Sequence, residues 1–527
     1  MDKIIYFFLI GFILYRLFIP LFMASDAVGS ELVSSIVGYK ITKGNFSNST
    51  PNLPQRIALI GEANHANQSG LSTAAVEITS AQQAGELFGF GSPLHMAMRI
   101  LRPSNGGGVG GIPVYAYPQL AAAGASTKSM DITPVGTATG NGTHTIVVAG
   151  REFLDGERYD IAIVEGDTAD DITAKIEDAI NNVLGCPFSA TSTDYDATLV
   201  SKWRGLTAND LTISVEDNDD ALGITYTVST NQAGQGTPSI VASLALFGNN
   251  WNTIVVNTYG TVESIMAALE TFNGIPDPSN PTGRFASTIM KPFLALTGSV
   301  ADNPSTITDS RLDDVTIAIC PAPLSAGHPL EAAANMAVLF ARKEQDTPHL
   351  DVQESYYPDM PTPISIGTMA TYTNRDSYVK KGCSTVDLTN GKYQIKDFVT
   401  TYHPVGETPP QFRYCRNLML DFNVYFGYYL LEQSYVVGKS IASDDDVVSV
   451  GSVIKPKSWK QVIDKYATDL TARALITDTT FMQDSIDVDL STTNPDRLET
   501  FFRYKRTGIA RISSTTAEAG FNFGSNQ

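Results

Sequence analysis

Residues 106–111 read Gly-Gly-Gly-Val-Gly-Gly, a string that satisfies the G-x-G-x-x-G pattern of dinucleotide-binding turns. That chemistry needs the glycines after a strand and before a helix, so that the helix N-terminus meets the pyrophosphate. Here the order is reversed: a helical pattern over 94–101 precedes the glycines and a strand pattern over 112–117 follows. The segment reads as a turn. No G-x-x-x-x-G-K-[ST] string occurs, which removes a P-loop motor. The six histidines, His65, His95, His144, His328, His349 and His403, form no H-E-x-x-H or other paired-ligand spacing, so zinc hydrolysis has no basis. His95, beside Met96 and Met98, reads as a core or interface residue, and His328 as the residue that starts an Ala-rich helix. There is no G-x-S-x-G elbow, and no serine sits in a nucleophile context. A triad assembled from distant segments stays open on sequence alone.

Asp217/Asp219/Asp220 and Asp444-Asp445-Asp446 lack the spaced ligands, turn glycine and closing Glu of a calcium loop and read as exposed loops. Cys186, Cys320, Cys383 and Cys415 are far apart, with no Cys-x-x-Cys pair, and read as free thiols that fit assembly in a reducing cytosol. The expected cofactor and metal set is therefore none.

The chain has 527 residues, too many for one compact core, and 36 Lys and Arg against 55 Asp and Glu give a net charge of −19. Such an acidic chain is repelled by phosphate backbones, so no direct nucleic-acid partner is expected. From Arg497 onward the balance reverses, with five basic residues against two acidic. A basic tail on an acidic body suits docking onto another copy of that body, and a solvated charged strand fits equally well. At the other end, 4–15 is a dense apolar run followed by Arg16 and a second run over 17–22 containing Pro20. A membrane helix with Arg16 near its centre costs roughly 2.5–3.5 kcal/mol on an insertion scale, and a signal peptide lacks a positive n-region because Asp2 offsets Lys3. The favoured reading is translation from Met23, with 1–22 an upstream extension and no stable membrane partner. A signal or anchor is the alternative.

The elements follow from periodicity. Residues 23–55 form an extended N-terminal arm with one short strand, 36–41. The run 56–61 is continuously apolar and ends in Gly, the mark of a strand buried on both faces. Ser80 can cap a helix over 81–87, and Ser92-Pro93 can start one over 94–101. Between Ala/Gly-rich linkers the stretch 121–236 turns to Thr, Asp and Gly, with short alternating strands at 144–148, 159–164, 211–215 and 224–228. Its one helix, 169–184, starts at a Thr168/Asp171 capping box. Strands at 252–259, 292–297 and 315–320 alternate with helices at 262–272 and 329–343, which predicts a largely parallel sheet with helices on both sides. Two more helices, 416–431 and 459–476, precede an alternating stretch over 501–523.

Several segments resemble the tail sheath proteins of contractile phages, of the Mu-like type, over most of residues 24–527. They are Trp251-Asn252-Thr253-Ile254-Val255-Val256, His328-Pro329-Leu330-Glu331-Ala332-Ala333-Ala334, Asn374-Arg375-Asp376-Ser377-Tyr378-Val379-Lys380-Lys381-Gly382, Asp397-Phe398-Val399-Thr400-Thr401-Tyr402, Asn494-Pro495-Asp496-Arg497-Leu498 and Phe521-Asn522-Phe523-Gly524. No single motif is diagnostic; their order and spacing carry the resemblance. Residues 402–412 depart from the family's usual loop, and 1–22 are foreign to it.

The resemblance implies an α/β fold with a subtilisin-like core that lacks protease residues, an inserted β-rich domain and a C-terminal α+β sheath domain. The expected layout is 1–22 extension, 23–55 arm, 56–120 and 237–350 core, 121–236 insertion, 351–500 C-terminal domain and 501–527 arm. It implies a structural subunit, not an enzyme, that stacks as hexameric rings around a tail tube and contracts to drive the tube through a cell envelope. The implied partners are other copies of itself, the tube, and baseplate and tail terminator proteins, in a virion tail assembled in the host cytoplasm. Arm exchange by strand addition points to Ile36, Val37, Tyr39 and Ile41 at one end. At the other it points to Ile509, Arg511, Phe521 and Phe523, with the two Phe as anchors on one strand face. The alternative is a secreted or membrane-anchored subtilisin-like hydrolase or surface binding protein.

Overall fold

The computed structural model describes residues 50–363 and 371–520. Strand β1 (Ile57–Glu62) is buried at all six positions, because layers cover both of its faces. It is flanked by β3 (Val114–Gln119) and β4 (Ile254–Asn257). With β5 (Leu294–Ser299), β6 (Ile317–Pro321) and a short edge strand β2 (Val76–Glu77) the sheet runs β6-β5-β4-β1-β3-β2. Every neighbouring pair is parallel except β2 with β3.

The pleat sorts side chains between two cores. Ile57, Leu59, Val114, Ile254, Val256, Leu294 and Leu296 face helices α1 (Ala81–Phe88), α2 (Pro93–Leu101) and α5 (Pro329–Asp346). Ala58, Ile60, Tyr117, Val255, Ala295 and Ile317 face α3 (Val241–Ala245) and α4 (Glu263–Asn273). Helices on both sides of a largely parallel sheet are as expected. Ser80 caps α1, Ser92 caps α2 ahead of Pro93, and His328 caps α5 by accepting from the Leu330 N–H. Helix α5 lies close on β5 because Ala332, Ala333, Ala334, Ala337 and Ala341 are small and fully buried. Gly298 gives the remaining room, since a Cβ there would run into the Pro329 carbonyl.

Residues 127–232 form antiparallel sheets of four, three and two strands, with the helix Ala169–Asn181 against the two larger ones. The Thr168/Asp171 capping box is present as read. The longer strands Thr127–Gly136, Phe188–Ser192 and Ala197–Arg204 escaped the sequence reading. In the first of these Lys128 occupies an inward position that should be apolar. Its ammonium is buried and donates to the carbonyls of Asn209 at 3.2 Å and Leu211 at 2.6 Å. A charge so satisfied hides the period-two pattern.

After α5 come a hairpin (Thr385–Thr389 with Lys392–Asp397) and two long helices, α6 (Cys415–Tyr435) and α7 (Pro456–Ala472), with a separate apolar cluster. Helix α7 begins three residues earlier than expected, at a proline suited to the first turn, and Ala474 at φ 54° lies just beyond its end. Of the alternating stretch read over 501–523, residues 521–523 lie outside the described residues. Pairing covers only Leu498–Phe501 and Lys505–Arg506, and 507–520 hold no regular element. A strand needs an edge to pair with, and the edge at Ile476–Thr477 is used up when the Thr507 N–H reaches the Leu475 carbonyl at 3.3 Å.

Gly298→Ala should destabilise the chain by about 3 kcal/mol or more in urea unfolding, because backbone on both sides must move. Gly111→Ala, where nothing lies within 4 Å of the added carbon, should leave the midpoint unchanged.

Candidate functional site: two chain segments clamped by one helix

The first half of α6 carries Arg416, Asp421 and Asn423 among apolar residues, and Arg416 and Asn423 are each 1% exposed. Buried polar groups need partners. The segment just after residue 49 supplies some. Asn423 Oδ1 accepts the Leu53 N–H at 2.8 Å, while its Nδ2 donates to Met419 O at 2.9 Å. Thr50 donates through Oγ1 to Asp469 Oδ2 at 3.1 Å on α7 and accepts from Arg473 Nη1 at 2.8 Å; Arg473 Nη2 also reaches Asn52 Oδ1 at 2.6 Å. Gly427 allows this crossing: a Cβ there would collide with the Tyr466 hydroxyl and come within 3.1 Å of Thr50 Oγ1. The helix-propensity cost of about 1 kcal/mol is the consequence.

The segment 504–511 supplies the rest. Asp421 Oδ1 accepts from the Tyr504 hydroxyl and Arg506 Nε, both at 2.8 Å, and Oδ2 accepts from Arg506 Nη2 at 2.6 Å, a two-pronged pair. Arg416 donates from Nη1 to Thr507 O at 2.6 Å and from Nε to His349 O at 2.9 Å. Arg511 pairs with Asp351 and stacks 3.8 Å over the Tyr414 ring. One helix and its N-cap thus hold both segments.

Of the residues named from sequence, Ile36, Val37, Tyr39, Ile41, Phe521 and Phe523 lie outside the described residues. Ile509 is half-buried beside Arg511, where both line a cavity of about 520 Å³ with Pro410 and Tyr414. Four of the five basic residues of the tail pair with acidic side chains of this chain. Arg497 pairs with Glu499, Lys505 with Asp478, Arg506 with Asp421 and Arg511 with Asp351. Sequence signalled the basic residues but not their acidic partners, of which all but Glu499 come from distant positions.

The residues that could have done chemistry serve the fold. His95 is buried, its Nδ1 accepts the Gly91 N–H at 3.1 Å, and burial pushes its pKa down to about 4. His144 meets the Tyr226 hydroxyl at 2.7 Å. All four cysteines are buried and free. Among the described residues no group of three or more His, Cys, Asp or Glu could hold a metal ion, and no helix is long and apolar enough to cross a membrane.

The strand order reverses between β1 and β4, and the crevice beyond their carboxyl ends is where open α/β sheets bind ligands. Here the chain's own residues 202–212 and 236 cover it. His65 Nδ1 meets Lys202 O at 2.9 Å, His328 Nε2 meets Thr207 O at 2.9 Å, and Thr212 Oγ1 donates to Ala326 O at 2.7 Å. Glu62 lies beneath the Gly205 turn, where a Cβ would come 3.5 Å from its Oε1, and burial pushes its pKa up to about 8.

One curated relative is similar in sequence. It is the Mu-like prophage FluMu tail sheath protein of Haemophilus influenzae, 28% identical over 196 residues. This chain is similar to a phage tail sheath protein. The match covers 36% of this chain and spans 38% of that relative's length. The resemblance read from sequence was to the same Mu-like sheath type. No protein-family model matches the chain. Among solved structures, the sheath tail protein of Desulfitobacterium hafniense aligns at 11% identity over 89% of this chain and all of that one, with a TM-score of 0.44. The contracted helical sheath of the anti-feeding prophage aligns at 10% identity over 93% of this chain and all of that one, with a TM-score of 0.40.

Asp421→Asn should lower stability by about 2–3 kcal/mol, because Arg506 loses its charged partner, and should make 504–511 the first site of limited proteolysis. An unchanged digestion pattern would contradict the clamp. Glu62 holds its proton up to about pH 8 when folded but ionises near 4.5 when unfolded. Its contribution is therefore full below 4.5 and lost as pH rises through 8. Glu62→Gln should be more stable than the parent at pH 9 than at pH 5, by roughly 2–4 kcal/mol in urea titrations; an identical pH slope would refute this.

Proposed function

We propose that this chain is the sheath subunit of a contractile tail, a structural protein and not an enzyme. In this reading, copies stack as hexameric rings around a tail tube, and the polymer contracts to drive the tube through a cell envelope. Residues 56–120 and 237–350 serve as a subtilisin-like core, 121–236 as an outer insertion and 351–500 as the C-terminal sheath domain. Residues 23–55 and 501–527 are arms that add strands to neighbouring copies through Ile36, Val37, Tyr39, Ile41, Ile509, Arg511, Phe521 and Phe523. The tube, baseplate and terminator proteins are the other partners, in a virion tail assembled in the host cytoplasm.

The observation that carries the reading is the clamp on α6. Together with Asp469 and Arg473 of α7 it fixes residues 50–53 and 504–507 to the body by hydrogen bonds and ion pairs, and beyond it 508–520 run without a strand or helix, with Ile512 82% exposed. A stretch fixed at its base and unpaired beyond can give its backbone donors and acceptors to another chain's sheet edge. The similarity to a tail sheath protein says which kind of polymer that suits. Such a machine needs no nucleotide. Two packings that differ by a few kcal/mol per subunit, repeated over many copies, suffice.

The test is negative-stain microscopy of the chain expressed from Met23, with and without residues 507–527, in the presence of the tube protein encoded beside it. The full chain should give hollow striated tubes, and the truncated chain a folded monomer. A truncated chain that builds normal sheaths would overturn arm exchange, and a full chain that never coats the tube would overturn the sheath reading.

A further inference from the structure

Arg511 ends in a built site. Asp351, its side chain 2% exposed, accepts the Val352 N–H on Oδ1 at 2.7 Å and Arg511 on Oδ2. The Arg511 guanidinium is 13% exposed and lies 3.8 Å over the Tyr414 ring. Behind it, Glu344 of α5 is fully buried, and neither of its carboxyl oxygens has a hydrogen-bond partner among the described residues. Burial and the neighbouring Asp351 hold the Glu344 pKa well above the carboxylate range. Arg416 completes the group, with Nη2 buried and unpartnered and its other nitrogens committed to backbone carbonyls.

Two carboxyls and two guanidiniums therefore share a buried space, and one guanidinium comes from a stretch without secondary structure. Ile509 and Arg511 are half-buried while Ala510 and Ile512 are exposed, the period of an extended segment seated on one face. A slip of one residue would put Ile512 against Asp351. Removing Arg511 strands a buried carboxylate, which is costlier than never having formed the pair. A segment exchanged between copies makes the same contacts in the assembly as in the lone subunit.

We infer that Asp351, Glu344, Tyr414 and Arg416 form an arginine socket that fixes the register of arm exchange: it holds Arg511 of its own chain in the isolated subunit and Arg511 of a second copy in the polymer. This rests on the sheath reading and names the residue that sets its register. The socket selects for a second copy of this chain, because a foreign arm must carry a guanidinium at the matching position.

The experiment is co-assembly of wild type with the charge-swapped double variant Asp351→Arg/Arg511→Asp, each carrying a distinct label. The single variants place like charges together in any arrangement and should lose tubes at least tenfold relative to wild type. The double variant should recover tubes by itself but sort away from wild type, since each arm then meets a like charge in the other's socket. Freely mixed tubes, or single variants that assemble like wild type, would overturn the inference. Arg511→Gln, whose fold is checked by circular dichroism, covers failure of the double variant to fold. It should raise the critical concentration about tenfold, with Arg511→Lys partly restoring it, and an unchanged concentration would overturn the proposal. Wild type that forms no tubes would count against the sheath reading itself, so the two failures are distinguishable.

Discussion

A helix with a guanidinium, a carboxylate and a carboxamide in its first half cannot satisfy them within its own length once packing takes them from water. In α6 those groups are Arg416, Asp421 and Asn423, and the partners come from residues 53 and 504–507, hundreds of positions away or near the other end of the chain. The apolar body of the helix gives the burial, through Leu418, Met419, Leu420, Phe422 and Val424. The polar partners make the arrangement specific, because any other segment would leave a charge or an amide unpaired. Much of the C-terminal region follows: α7 crosses at Gly427, the Lys505–Arg506 strand pairs beside it, and the stretch from 508 leaves from a defined point.

The insertion and the core are tied by the same kind of constraint. Arg151, from the loop after Gly142–Val148, pairs with Glu331 on α5 and Asp359 beyond it. Glu331 is 1% exposed, so the pair is worth most as a constraint on where the two parts meet, since breaking it would bury an unpaired charge. Together with the turn over Glu62, it places the small sheets on the carboxyl ends of β1 and β4, where an α/β enzyme would keep an open crevice.

How much of this was legible depended on the range of the interaction. Caps are written within four residues, and Ser80, Ser92, Thr168 and His328 were all readable. Strands covered on both faces read as unbroken apolar runs, and 56–61 announced β1. The strand Thr127–Gly136 was lost because Lys128 sits inside it, with acceptors some eighty positions downstream. The clamp was lost for the same reason. Asp421 and Arg506 are 85 residues apart, and nothing local in either says that they meet. Alternation over 501–520 states which face a side chain would take, and within this chain pairing covers 498–501 and 505–506 alone.

The most direct measurement is hydrogen–deuterium exchange of the full chain as isolated subunit and as assembled polymer. The account predicts that the amides of α6 stay protected in both, because the clamp does not open, while those of 508–520 exchange freely in the subunit and become protected in the polymer. Loss of protection in α6 on assembly, or a segment 508–520 equally unprotected in both forms, would contradict it.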